Sequence, residues 1–217
     1  MPEKKAKNVP NNDTLLKTLI KEFGRPFSCS LGISLQGGKE REIFKWFLAS
    51  VLFGKRISYR IAEKTYHQFK ASNVLTPKAI TETGWDGLVK ILDDGGYVRY
   101  DFSTASKLLF LCEQLQQKYG SLNKLHRQAK GPKDLEQRLM EFKGIGPVTT
   151  NIFLRELRTV WKKADPEPLD FVKKQAHKLG IKLSKFKRKI KRFIRLEAAL
   201  IRSCKQKEQK VSYNYKL

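Results

Sequence analysis

The stretch Lys143-Gly144-Ile145-Gly146-Pro147-Val148-Thr149-Thr150 constrains this chain more than any other. Glu136 to Phe142 before it and Val148 to Val160 after it read as helices, which leaves room between them only for a tight hairpin. Glycine at 144 and 146 permits backbone angles closed to other residues and lets a flat ligand approach the main chain. Pro147 suits the first turn of the second helix, where a missing N–H leaves nothing unpaired. The other N–H groups of that turn, with the helix dipole behind them, form an anion site.

Charge says which anion to expect. Of 217 residues, 45 are Lys or Arg and 21 are Asp or Glu, a formal net charge of +24. That is more than solubility requires and predicts a polyanionic partner, so the anion at the hairpin reads as a phosphate. A lysine-rich surface of the ribosome-associated or thermophilic kind is the alternative. The longest apolar run, Trp46 to Phe53, falls short of the roughly 18 residues of a membrane span. Met1-Pro2-Glu3-Lys4-Lys5 has no apolar signal core, so the expectation is an intracellular protein of the cytoplasm or nucleoid, or of the nucleus in a eukaryote. Cys29, Cys112 and Cys204 are too scattered for a zinc pair or a four-thiolate cluster, and no iron–sulfur cofactor is expected. Cys112 reads as core, and His67, His126 and His177 show no metal-ligand spacing.

Helical periodicity recurs along the chain and strand alternation does not, which predicts an all-α fold of about ten short helices. The expected order starts with a loose basic arm over 1–12 and a helix from Thr14 to Phe23. A loop or short irregular hairpin over 24–38 precedes a buried central helix, Lys39 to Phe53. Helices follow at Ser58–Ala71, from Thr76-Pro77, and at Trp85–Leu92. A connector over 97–102 leads to a helix capped by Ser103, then to Leu122–Gln128 and the hairpin pair. An extended crossing from Ala164 to Leu169 leads to Phe171–Leu179, a long basic helix from Ser184 to Lys205, and a flexible tail over 206–217. Two helical lobes around a DNA-binding cleft are expected, an inner one over roughly 39–130 and a second from 13–38 plus 131–205, which holds the hairpin.

Phe142-Lys143-Gly144-Ile145-Gly146 has the form hydrophobic-x-Gly-hydrophobic-Gly, and Asp170 follows in Glu167-Pro168-Leu169-Asp170-Phe171-Val172. These residues resemble the helix-hairpin-helix DNA glycosylases, and Thr149-Thr150-Asn151 with Phe153 is similar to the branch that removes alkylated bases. The likeness runs from about Thr14 to Lys205 and is sharpest from Phe142 to Val172. It implies a monomeric base-excision enzyme that flips a damaged base from duplex DNA and hydrolyses its N-glycosidic bond. Many relatives carry an iron–sulfur cluster, for which this chain lacks the cysteines; a monovalent cation at the hairpin would be the one metal ion. The resemblance makes Asp170 the essential carboxylate, held at a helix start, with Asp165 as rival.

Bifunctional members place a lysine two residues after the hairpin's second glycine, and here that residue is Val148, which cannot form a Schiff base. The resemblance thus implies a monofunctional enzyme, with Lys55 as a relocated amine in the alternative of an oxidised-purine glycosylase/lyase. A non-catalytic DNA-binding module is the other alternative. DNA contacts are expected from Lys143, Gly144, Ile145, Gly146, Val148, Thr149 and Thr150, where the two threonines either reach a phosphate or simply start the helix. Two loops add to them, Lys55-Arg56 as gap filler and Tyr97 with Arg99 as wedge, Tyr97 reading equally as packing against the helix that follows. Trp46, Tyr59, Phe44 and Phe27 are the aromatics expected at the base pocket, Trp46 reading equally as core.

Overall fold

The structure is a computed structural model that describes residues 12–213, with side chains from 13 to 204. Among these residues the elements are all helical. In chain order they are α1 (Asn12–Phe23), α2 (Phe27–Ser30), α3 (Glu40–Phe53), α4 (Tyr59–Ala71), α5 (Pro77–Asp94) and α6 (Asp101–Lys118). There follow α7 (Leu122–Gln128), α8 (Pro132–Met140), α9 (Pro147–Leu157), α10 (Asp170–Lys178), a 3-10 turn at Leu183–Lys185, and α11 (Lys191–Tyr213). Apart from Asn12, the expected N-terminal arm lies outside the described residues. None of the described helices is long and apolar enough to cross a membrane.

The chain divides into two compact units, Phe27–Glu167, and Met1–Pro26 with Pro168–Leu217. The hairpin therefore belongs with the central helix, not with the chain ends as the sequence suggested. The reason is α3, whose apolar residues run nearly all round it: Ile43, Phe44, Trp46, Phe47, Leu48, Val51 and Leu52 are all buried. Such a helix must be covered on every side. Phe47 meets the Phe153 ring edge-on at 4.8 Å. The Trp46 indole N–H donates to the Phe153 carbonyl at 3.0 Å. Each such ring contributes roughly 1.5–3 kcal/mol on burial, which fixes α9 against α3.

Local signals set most boundaries. The hydroxyls of Ser58, Thr76 and Ser121 accept from the N–H groups of Ile61, Ala79 and Lys124, starting α4, α5 and α7. The Glu40 carboxylate adds a second cap to α7, accepting from Leu122 and Asn123 N–H at 2.8 and 3.0 Å. Gly84 (φ 69°, ψ 177°) interrupts α5, giving the two segments expected there. Next to α7, the His126 ring stacks on Trp161 at 4.7 Å, and Trp161 donates to the Asn123 side-chain oxygen at 2.8 Å.

Three expectations need correcting. The loop over 24–38 contains α2, whose first N–H groups are satisfied from far along the chain by Glu156. Ser103 does not cap α6, which starts two residues earlier; its hydroxyl donates back to the Tyr100 carbonyl at 3.1 Å. The basic helix begins at Lys191, not Ser184. A helix over 184–190 would stack Lys185 on both Arg188 and Lys189 at i+3 and i+4, where like charges repel. α11 also runs on to Tyr213, past the Lys205 at which the sequence ended it.

In the unit formed by the chain ends, α11 supplies the C-terminal cap of α1. Arg202 donates to the Phe23 carbonyl at 2.8 Å and to that of Arg25, and Arg195 donates to Gly24 at 3.4 Å. These arginines satisfy carbonyls that the last turn of a helix leaves open.

Candidate nucleic-acid interface

The hairpin is built on two apolar anchors. Phe142 and Ile145 are buried, and the Ile145 N–H donates to the Phe142 carbonyl at 2.9 Å. The turn between them presents Lys143 and Gly144 to solvent. Gly144 has φ +88°, a left-handed conformation, and a Cβ there would lie 2.6 Å from Cδ of Lys107. Gly146 is a different case. Its φ of −107° and ψ of −177° suit any residue, and a Cβ there meets nothing within 4 Å. Of these two glycines the surrounding protein requires only Gly144; at Gly146 the open space lies in front of the helix start.

Gly146 is the N-cap of α9 and supplies no side-chain cap. The first-turn amides thus lack the acceptor that Ser58, Thr76 and Ser121 supply elsewhere. Val148 stands beside them, 48% exposed, without an amine. Thr149 and Thr150, expected to reach a phosphate or to start the helix, are buried. A Cβ on Gly54 would come within 2.0 Å of the Thr149 hydroxyl oxygen, so Thr149 seats α9 on the end of α3. Their burial fits the second reading, in which they start the helix, and not a reach to a phosphate. Ile145 likewise holds the turn from inside.

The loop after α3 and helix α6 both come to the hairpin. Lys107 lays its methylene groups over Gly144, and its charge acts on the Lys55 amine. Burial first, and then the neighbouring Lys107 amine, pull the Lys55 amine down to about 8. Arg56, next in the loop, is exposed.

The second expected DNA-contacting loop is placed differently. Tyr97 is wholly buried and its hydroxyl donates to the Leu52 carbonyl at 2.6 Å, so it anchors the loop from below and is no wedge. The residues the loop presents are Val98, 63% exposed, and Arg99, whose guanidinium lies 5.5 Å from the centre of the Tyr100 ring.

Of the expected pocket aromatics, Trp46 and Phe44 are core residues with no surface to offer a base. Phe27 and Tyr59 do come together, 5.6 Å apart, and Tyr59 stacks on Phe53 at 5.0 Å and 17°. Phe27 is buried, with the Arg155 guanidinium 5.0 Å from its ring centre. Tyr59 is half-buried and keeps open surface. Beneath this cluster the Glu156 carboxylate accepts from the N–H groups of Phe27 at 2.7 Å and Ser28 at 2.9 Å.

Asp170 is exposed and is the first residue of α10, one position inside the helix; the residue before it, Leu169, is the N-cap. Its carboxylate lies at the positive end of the helix dipole, as expected, but as a first-turn residue and not as the cap. Asp165 is committed elsewhere. It lies 3.8 Å from Nε of Arg158, whose side chain is fully buried and also donates to the Pro166 carbonyl at 2.7 Å. Asn151 donates to the Glu167 carbonyl at 2.6 Å. The stretch from Asp165 to Glu167 is thereby tied to α9. Among the described residues no group of three or more His, Cys, Asp or Glu side chains could hold a metal ion.

No protein-family model matches this sequence, and no curated protein matches it. Among solved structures the chain is similar to the crystal structure of the 3-methyladenine DNA glycosylase MagIII of H. pylori bound to 1,N6-ethenoadenine. The likeness covers 91% of this chain and 98% of MagIII, with a TM-score of 0.52 and 16% sequence identity. The two chains share a fold. At so low an identity the chemistry of this chain has to be argued from its own residues.

Those residues sort into two groups. Lys143, Gly144, Gly146, Val148, Lys55, Arg56 and Arg99 lie on loops or a helix start with surface to offer, and the first five belong to neighbouring elements of one unit. Ile145, Thr149, Thr150, Tyr97, Trp46 and Phe44 support from within. The sequence reading missed Lys107, Phe53, Arg155 and Glu156. For the last two a signal existed: adjacent charges inside Phe153-Leu154-Arg155-Glu156-Leu157, an otherwise apolar run whose polar members need buried partners.

Proposed function

We propose that this chain is a DNA glycosylase that binds duplex DNA at its hairpin, takes a damaged base out of the stack and hydrolyses the N-glycosidic bond. The observation that carries the reading is the hairpin itself. A left-handed Gly144, an unobstructed Gly146 and an α9 start without a side-chain cap together offer main-chain amides to a phosphate, within a fold shared with MagIII. The formal charge of +24 suits a polyanionic partner.

Asp170 is the carboxylate of the reaction. As the glycosidic bond lengthens, positive charge grows on the sugar, and an adjacent anion stabilises it most in the transition state. The same carboxylate orients the attacking water. Tyr59, backed by Phe53, offers a ring face on which an extruded base stacks. Val98 and Arg99 enter the duplex from the loop above Tyr97. With valine at 148 the enzyme is monofunctional and leaves an intact strand bearing an abasic site.

The test is base release from duplexes carrying 3-methyladenine, 7-methylguanine, 1,N6-ethenoadenine, uracil, hypoxanthine or 8-oxoguanine. One or more should be released by the wild type, and Asp170→Asn should lose release while binding DNA as well as before or tighter. Binding with no release from any duplex would support the non-catalytic module instead. Borohydride trapping of a covalent complex as fast as base is released would make the protein a lyase.

A further inference from the structure

We propose that Trp85 and Phe102 form an aromatic platform that stacks the unpaired base left in the duplex when its partner is taken out; this rests on the DNA-binding reading above. Both rings are exposed, 39% and 59%, and they lie 5.3 Å apart at 37°. Phe110, 47% exposed, follows on the same face of α6, since positions 102, 106 and 110 are spaced by four. Apolar residues scattered singly over a surface need no explanation, but large ones gathered on one face do.

Polar contacts, not burial, hold the platform rigid. Gly84, with φ 69°, breaks α5 and sets Trp85 at the head of its second segment. The Trp85 indole N–H donates to the Ser106 hydroxyl at 2.9 Å, and that hydroxyl donates to the Phe102 carbonyl at 2.9 Å. Water would satisfy an exposed indole N–H equally well. Here a side chain does so and fixes the ring plane beside Phe102. A ring fixed in advance loses little freedom when a ligand stacks on it.

Position says what that ligand is. The same stretch of chain carries an interface residue on each side of the platform. Arg99 is exposed on the loop before α6, and Lys107 lays its methylenes over Gly144 of the hairpin. Lys107 directly follows Ser106, so the aromatic face stands about 100° round the helix from the side that meets the hairpin. A ligand on Trp85 and Phe102 therefore borders DNA held at the hairpin, with Arg99 and Lys107 to attract its phosphates. Bases present flat apolar faces, and aromatic side chains hold unpaired ones by stacking. Extruding one base leaves its partner in that state. A second copy of this chain is a poor occupant, because two molecules of net charge +24 repel.

Of the three tryptophans, Trp46 and Trp161 are buried, so a ligand-dependent change in indole emission reports the platform. The experiment titrates the full chain with three short duplexes of one sequence. One is fully paired, one has a stable abasic-site analogue opposite adenine, and one has the analogue on both strands at that position. Wild-type emission should be quenched most by the second, which alone holds an unpaired base. Trp85→Ala and Phe102→Ala should each bind that duplex roughly fivefold more weakly or worse, and bind the other two like the wild type. Trp85→Phe, which keeps a ring, should retain most of the affinity. The wild-type quench decides alone should an alanine variant fail to fold. Equal quenching by all three duplexes, no quenching, or folded alanine variants that bind the second duplex like the wild type overturn the platform. So does emission that changes with protein concentration in the absence of DNA while sedimentation shows a dimer, which would give the face to a second copy. If the wild type binds none of the duplexes, the DNA reading fails and the platform with it; binding to the paired duplex without the selective quench sinks the platform alone.

Discussion

Gly54→Ala places a single methyl group where α3 meets the hairpin helix. The backbone there accepts alanine, with φ −74° and ψ −3° in the right-handed helical region, so the change acts through crowding alone. The new Cβ would lie 2.0 Å from Oγ1 of Thr149, 3.1 Å from its Cβ and 3.2 Å from the Ser50 carbonyl oxygen. Thr149 is buried and β-branched, so it has little freedom to turn away. Overpacking of this kind costs about 1–3 kcal/mol, and the stiffer unfolded chain gives back about 0.4–1 kcal/mol. A net loss of about 1–2 kcal/mol lowers the melting temperature of a chain this size by roughly 2–8 °C. Thermal unfolding should show that fall, and duplex affinity should drop with it, because Lys55 moves with Gly54. Adding Thr149→Ala removes the closest clash, so the double variant should recover about 1 kcal/mol or more relative to additivity. A Gly54→Ala protein that melts with the wild type, or a double variant that is simply additive, would refute the close packing of loop and helix.

The two hairpin glycines should separate stability from binding: Gly146→Val should leave circular dichroism and melting unchanged while weakening duplex affinity, whereas Gly144→Ala should lower the melting temperature, because its φ of +88° strains alanine and its Cβ displaces Lys107. Tyr97→Phe removes the buried hydroxyl that donates to Leu52 and should destabilise by about 1 kcal/mol in urea titration without altering DNA affinity; a selective loss of affinity would restore Tyr97 as a wedge. His126 titrates at about 4 in the fold, held there by burial and then by Lys163 and Arg127, against 6.5 in an unfolded chain. The unfolded state therefore binds the extra proton first, and stability should fall as pH drops from 6.5 towards 4; His126→Gln should flatten the change in urea midpoint between pH 7 and pH 5.

The features written in short stretches of sequence were readable. Helix periods gave the all-helical class, Ser58, Thr76 and Ser121 announced their helices, and the Gly-Ile-Gly hairpin stood where expected. What escaped depends on partners far along the chain. Beside glycines, Thr149 and Tyr97 each allow a surface and an interior reading, and only the packing of α3 against them decides for the interior. Lys107 carries no local sign of lying on Gly144, because an amphipathic helix tolerates a lysine at many of its positions. The helix start at Lys191 was missed for another reason: apolar spacing continued upstream, but the repulsion of consecutive cations outweighed it.

The cap on α2 also sets a clock on how the chain is made. The N–H groups of Phe27 and Ser28 wait for the carboxylate of Glu156, 129 residues downstream of Phe27. At about 5–20 residues per second a ribosome needs roughly 6 to 26 s to deliver it. Through that interval α2 has no cap and the Phe27 ring has neither Arg155 nor its buried setting, so this corner of the protein stays open until α9 emerges. Its closure is a long-range, slow contact, and a nascent chain stalled before Glu156 would offer Phe27 to a chaperone or a protease.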